Sequence, residues 1–575
     1  MIVFLALLLP TIPRQGINFD EQSDLDVTTE YVRKPSGLIF GSPLDAINTR
    51  LPMYTVAVVF TLAGTIDLRL ARLLSAGVSV LTLVAVFVYC RRWLDPVKAA
   101  AACLLLGTSP YFLAFAGCAF TEGDVFITCA TAWVLVSASA LVDRASIGRA
   151  VVAGAALGLA MSSKISGAFL FPAVVAAVAL APSTDDATRL RLRDREVRPL
   201  IATAAVLLIW VLFVAAKARI VPPWLFRALE SSPGRPELLY LALLAIGGAV
   251  LAWAWRRRHR LASHGMVTTV IGVTAAVTFF AIPPVHTTNG HVLGSLWRQA
   301  ISGGAGIDPA FVAEALALHV AVILLKPGVV VGIGLWLGLI VAAFRARQRP
   351  ELRLPVLMAL FYLGFLLTLP WAQPFYMMPL LPILGILAAD ALVDLFRVRR
   401  RIAAAVVAAA VISVAWDMVA CYPDLSLNGY QWVGERYLAG RSTLGYRSIA
   451  QVRSDGEQQV LQWANQHVVP GETVVLFLSS PRIIRATSPN PSFRLVNGMR
   501  RPGALDEADW VLTAINADIM GGYNSSLLGS HGDDNPEGTI FRPRYDRAQL
   551  EAEFAKVFAV RRAFDIEVAA VWRRR

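Results

Sequence analysis

Four groups of residues in this chain have types and positions suited to acid–base chemistry or to holding an anion. Phe19-Asp20-Glu21 sets two adjacent carboxylates just after a short apolar run. There one acid can serve as general base while its neighbour holds or raises its pKa; the same pair also reads as solvated loop acids. Phe120-Thr121-Glu122-Gly123-Asp124 opens another apolar run. Thr121 with Asp124 resembles a variant capping box, and acids favour a helix N-terminus. Glu122 is less easily explained that way, and Gly123 would let a ligand approach the backbone closely. Ser162-Ser163-Lys164 forms a tight turn between two apolar runs. Its lysine either snorkels to the surface or binds an anion as a point charge, with helix-end amides nearby that suit phosphate. The fourth group is the segment 283–326, with His286, Asn289, His291, Arg298 and Lys326-Pro327. It reads as amphipathic helix along an interface, and its histidines are too irregular for a metal site.

A fifth feature is the proline-rich stretch from Pro370 to Pro382. Helices broken at membrane depth are tolerated where they line a cavity. Tyr376, inside this stretch, either presents its hydroxyl to a headgroup or anchors the chain at the interface.

The elements that must carry these groups follow from composition. Of 575 residues, 56% are apolar and 16% charged. Soluble domains run near one quarter charged, so a water-soluble globule and a disordered chain are both excluded. The formal charge of +13 is gathered in brief patches between apolar runs: Arg91–Arg92, Arg189 to Arg198, Arg256 to Arg260, Arg345 to Arg353 and Arg397 to Arg401. That is the positive-inside pattern, with no interleaving of basic and aromatic residues for nucleic acid. The five cysteines show no metal-ligand spacing and read as small buried hydrophobes.

The run from Met1 to Ile12 has no basic residue before it and no cleavage site, so it reads as the outer part of a first helix. Further spans are expected near 69–90, 97–112, 122–142, 148–163, 165–182, 199–216, 237–255, 265–282, 327–344, 355–369, 376–396 and 402–419. With the first run this makes about thirteen crossings of a core about 30 Å thick. Alternation puts every basic patch on one side. The acids near Asp20, the start of the 122–142 span, Lys164, the segment 283–326 and the chain after 420 then share the other. The expected domains are a membrane domain, residues 1–420, with outer amphipathic loops at 20–68 and 283–326, and an extracytoplasmic α/β domain, residues 421–575. Within the latter, Thr473 to Leu478 and Trp510 to Thr513 predict strands, and Glu457 to His467 and Asp546 to Val557 predict helices.

The order of several motifs resembles a known family. The Asp20-Glu21 pair is followed by Arg50-Leu-Pro-Met-Tyr54, Arg69-Leu-Ala-Arg72-Leu-Leu-Ser75 and Ser109-Pro110 leading to Glu122. Gly158-Leu-Ala-Met-Ser-Ser-Lys164 and Tyr376-Met-Met-Pro-Leu-Leu-Pro382 come after them. Together they resemble the GT-C membrane glycosyltransferases, in the branch of the protein O-mannosyltransferases and the lipid A aminoarabinose transferases. That implies a mainly helical polytopic fold and transfer of a sugar from a polyprenyl-phosphate carrier to a lipid, glycan or protein acceptor on the outer face. By the same resemblance Asp20 is the candidate base with Glu21 beside it, Glu122 the second acid with Asp124 close behind, and Lys164 or Lys326 the phosphate partner. His286, Arg298 and Tyr376 complete the expected donor-phosphate and lipid-binding set.

The chain also departs from the family. Gln22-Ser23-Asp24 and Gly117-Cys118-Ala119 stand where relatives often carry arginine, and Gln373 stands where many carry a basic residue before the Tyr376 motif. The resemblance leaves a divalent metal open; one, if used, would fall to Asp20 and Glu122. The expected location is the inner membrane, multi-pass, with membrane lipids as partners and no nucleic acid. The competing readings are a secondary transporter or lipid flippase, which predicts charges nearer the midplane and often an internal repeat, and a catalytically inactive GT-C relative.

Overall fold

The computed structural model describes residues 1–10, 12, 28–29, 31–33, 50–117, 124–180, 264–281, 316, 319–320, 323–324, 327–366, 374–421, 456–477, 492–497, 503–514, 547–562 and 566–575. These residues form a mainly helical protein with one mixed sheet near the C-terminus. The expected spans at 199–216 and 237–255 lie outside them.

The helical part runs α1 (Ile2–Leu8), α2 (Arg50–Ala63), α3 (Leu68–Trp93), α4 (Pro96–Gly107), α5 (Pro110–Ala116), α6 (Asp124–Asp143), α7 (Ile147–Ser163) and α8 (Leu170–Ala179). It continues with α9 (His264–Ala281), α10 (Val329–Arg345), α11 (Arg353–Leu366), α12 (Leu381–Val398) and α13 (Arg400–Cys421). Three described helices combine the length and apolarity needed to cross a membrane: Leu68–Trp93, Asp124–Asp143 and Tyr376–Val398; several others are apolar but shorter.

Local sequence explains where these helices start and stop. Asp67, Asp95 and Ser146 each accept a backbone N–H at a helix start, satisfying a donor the helix itself leaves open. The expected 97–112 span is two helices. Ser109, held extended by the proline that follows it, separates α4 from α5. Nor is the 20–68 stretch all loop. It contains α2, which Gly64 closes in the left-handed conformation (φ +66°). Met53, Val56, Ala57 and Phe60 of α2 pack with Tyr31 and with Ala71 of α3.

Glycines set one long-range contact. A Cβ on Gly154 would lie 2.6 Å from the Ile271 carbonyl oxygen, and one on Gly158 2.6 Å from that of Ala275. Both numbers rise together, so α7 and α9 are parallel and in backbone contact.

Arginine, lysine and aspartate tie together one end of the bundle. Lys98 Nζ lies 2.5 Å from Asp390 Oδ1 and 2.7 Å from Asp394 Oδ1. Arg349 reaches Asp390 at 2.9 Å, Arg345 reaches Asp394 at 2.7 Å and Arg397 reaches Asp95 at 2.9 Å. At the same end Trp93 donates to Asp143, and Arg353 donates to the carbonyl of Leu180, beyond α8. Every one of these basic groups comes from the patches expected on the inner side, or sits beside one.

The C-terminal part holds α14 (Gly456–His467), β1 (Thr473–Phe477), β2 (Arg494–Asn497), β3 (Trp510–Ala514), α15 (Arg547–Glu553), β4 (Phe554–Arg562) and β5 (Ile566–Arg574). The strand order is β2-β1-β3-β5-β4, with β1 parallel to both neighbours and β5 antiparallel to both of its own. Side chains alternate across a strand. Val474 and Leu476 therefore join one core with Val460, Leu461 and Ala464 of α14, while Val475 and Phe477 join the other with Leu550 and Trp572. The expected helix from Asp546 to Val557 ends at Glu553. Its last four residues are strand, because Phe554 to Arg562 pair along β5.

Candidate functional site

The opposite end of the helices gathers the polar side chains. Asp124 opens α6 and is fully buried. Lys164 follows α7 with an extended backbone (φ −161°, ψ 135°) and is 9% exposed. A 3-10 turn, Ile165–Phe169, then folds the chain back into α8. The reversal is tight enough that a Cβ on Gly167 would lie 2.5 Å from the carbonyl carbon of Ala160, so this position needs glycine. Tyr376 lies in a second 3-10 stretch, Pro374–Leu380, which leads into α12.

These three elements bring their side chains together. Lys164 Nζ donates to Asp124 Oδ1 at 2.9 Å and stands 4.4 Å from the centroid of the Tyr376 ring. A buried ammonium survives only where opposite charge and π density offset its lost hydration, and both are present. Ser162 and Ser163 return their hydroxyls to Gly158 and Leu159 of their own helix. Ser166, in the turn, is within 3.1 Å of the Tyr362 hydroxyl of α11. Tyr111 and Tyr362 are both buried.

Of the expected site residues, Asp124, Lys164 and Tyr376 therefore meet in one cluster. Asp20, Glu21, Glu122, His286, Arg298 and Lys326 lie outside the described residues. No group of three or more His, Cys, Asp or Glu side chains that could hold a metal ion occurs among the described residues. Asp124 faces an ammonium that a cation there would have to displace.

Two residues had no role assigned from the sequence, although Arg72 stood in one of its motifs. Tyr362 sits in an unbroken apolar run, where a tyrosine looks like any other core residue. Arg72 is 3% exposed and donates from Nη1 to the carbonyl of Ile12 at 2.9 Å. A buried arginine at the start of a span was the available signal, and here it holds the chain at Ile12.

With this geometry in view, residues 49–216 match the family model described as dolichyl-phosphate-mannose-protein mannosyltransferase. The matched stretch includes Asp124 and Lys164, and the family is one of those the motif order resembles. No curated protein matches the chain. Among solved structures, the chain is similar to ArnT from Cupriavidus metallidurans bound to undecaprenyl phosphate, at 15% identity and a TM-score of 0.45, covering 99% of this chain and 97% of that one. It is also similar to the Archaeoglobus fulgidus oligosaccharyltransferase in complex with Zn and sulfate, at 12% identity and a TM-score of 0.49, covering 97% of this chain and 78% of that one. A third likeness is to AglB from the same archaeon with an inhibitory peptide and a dolichol-phosphate, at 13% identity and a TM-score of 0.43, covering 99% and 74%.

Proposed function

We propose that this protein is a GT-C type membrane glycosyltransferase that moves a sugar from a polyprenyl-phosphate carrier to an acceptor hydroxyl or phosphate on the outer face of the inner membrane. The observation that carries the reading is the buried Asp124–Lys164–Tyr376 cluster at one end of the bundle, of which Asp124 and Lys164 fall inside the stretch matched by the mannosyltransferase family model. A charge kept at such cost inside an apolar bundle is a functional site by default.

In this reading Lys164 meets the carrier phosphate, and Asp124 holds the ammonium in place until it does. Tyr376 shields the pair and borders the phosphate. Asp20 takes the proton of the acceptor hydroxyl as its oxygen bonds to the anomeric carbon. The bond from that carbon to the phosphate oxygen breaks as the new one forms, so the anomeric centre inverts and polyprenyl phosphate leaves with the electron pair. Glu21 and Glu122 tune or assist the base, while His286, Arg298 and Lys326 are further candidates for the phosphate and lipid. A divalent metal, if one takes part, would fall to Asp20 and Glu122. The membrane domain, residues 1–420, does the chemistry, and the α/β part, residues 421–575, lies outside the cytoplasm.

The transporter reading is less well supported, because the described charge clusters gather toward the two ends of the helices instead of at one mid-depth site. The test is release of polyprenyl phosphate from a sugar-charged carrier by the purified chain in detergent. Asp20→Asn should abolish release while leaving carrier binding largely intact; full activity in that variant removes Asp20 as base, and no release by the unaltered chain with any carrier-linked sugar removes the function.

A further inference from the structure

The turn that presents Lys164 is held from behind by a neighbouring helix. In a 3-10 turn, residues three apart fall on one face, so Ser166 and Phe169 point the same way. On α11, Tyr362 and Phe365 are likewise three apart and share a face. The two faces meet twice. Ser166 Oγ and the Tyr362 hydroxyl are 3.1 Å apart, and the Phe169 and Phe365 rings stack with centroids 3.6 Å apart, 15° from parallel. Ser166 is 5% exposed and Tyr362 wholly buried.

The apolar stack would by itself dock the turn. The hydroxyl pair adds something else, because two buried hydroxyls cost free energy unless they find each other. That cost fixes the register of Ser166, and with it the height of Lys164 two residues earlier. The ammonium then has little freedom to slide between Asp124 and the space beside Tyr376.

We propose that Tyr362, acting through Ser166, is a positioning residue for Lys164, setting the ammonium where it meets the phosphate of a polyprenyl-phosphate ligand. The inference rests on the reading of Lys164 as a phosphate partner, and the test separates the two. The probes are undecaprenyl phosphate and undecaprenol, bound to the full chain in detergent. Lys164→Ala comes first: if it leaves undecaprenyl phosphate affinity unchanged, the reading of Lys164 fails, and the inference with it.

If Lys164→Ala weakens binding, Tyr362→Phe and Ser166→Ala should each weaken undecaprenyl phosphate binding about three- to tenfold, the scale of one buried hydrogen bond. Undecaprenol binding should be unaffected, and neither variant should weaken binding further in the Lys164→Ala background. Three results would overturn the proposal: unchanged phosphate affinity in Tyr362→Phe, equal losses for undecaprenol, or a loss that persists in full without Lys164. Phe365→Leu, which thins the stack and spares the hydroxyls, serves as the control for general loosening and should affect both probes alike.

Discussion

Lys164 reaches its position along a side chain that is almost wholly buried, and its charge is matched there by Asp124. Removing one member of such a pair leaves the other buried without its counter-charge. Asp124→Ala should therefore lower stability by about 3–5 kcal/mol, read by thermal unfolding in detergent. The double change Asp124→Leu with Lys164→Met should recover most of that loss, because apolar residues of similar volume replace a buried ion pair at little cost. It should recover no polyprenyl phosphate release. A double variant that regained release would make the pair structural. Asp124 and Lys164 were legible in the sequence because a charge inside an apolar run is conspicuous. Tyr362 and Ser166 were not, because tyrosine and serine are ordinary in such runs and only the fold reveals that they face each other.

Elements were legible wherever the chain carries a local signal. Asp95, Pro96 and Pro110 mark their breaks, and the β-branched run of β1 marks its strand. Pro110 carried the signal for the split of the 97–112 span, and the single expected span ran through it. The strand after Glu553 was not legible, because its pairing along β5 is a long-range contact that local periodicity does not record. The turn after Lys164 yields a sharp expectation: Gly167→Ala drives a methyl into the backbone of Ala160 and should cost about 1–3 kcal/mol, with weaker undecaprenyl phosphate binding as the turn shifts. At the other end, burial pushes the Asp95 carboxyl up. The Lys98 backbone N–H and the Arg397 guanidinium outweigh that and hold it below the usual carboxylate value. Its contribution is present above the unfolded carboxylate pKa and is lost as pH falls through the folded one. Asp95→Asn keeps a cap and drops the charge, so it should cost about 0.2–1 kcal/mol near neutral pH, with the difference in melting temperature vanishing in acid. A gap that widened in acid would contradict the assignment.

The described helices together have two unlike ends. One is stapled by Lys98, Arg345, Arg349 and Arg397 to Asp95, Asp390 and Asp394; the other carries turns, proline breaks and the Lys164 cluster. If the positive-inside rule orients the chain, a membrane-impermeant maleimide should label Gly64→Cys on intact spheroplasts, and Arg347→Cys only after permeabilisation; the reverse pattern would put the cluster on the cytoplasmic face and remove an outer-face reaction. The side-by-side course of α7 and α9 constrains the connectivity further. α8 turns back from the Lys164 end and stops at the stapled end, where Arg353 holds the Leu180 carbonyl. α9 sets out from that end too, since it runs alongside α7 in the same sense. Whatever path the chain takes between Leu180 and His264, it comes home to the side it left. Reporter enzymes spliced in at those two points should both be active in one compartment and silent in the other; opposite readouts at the two would contradict the parallel course of α7 and α9.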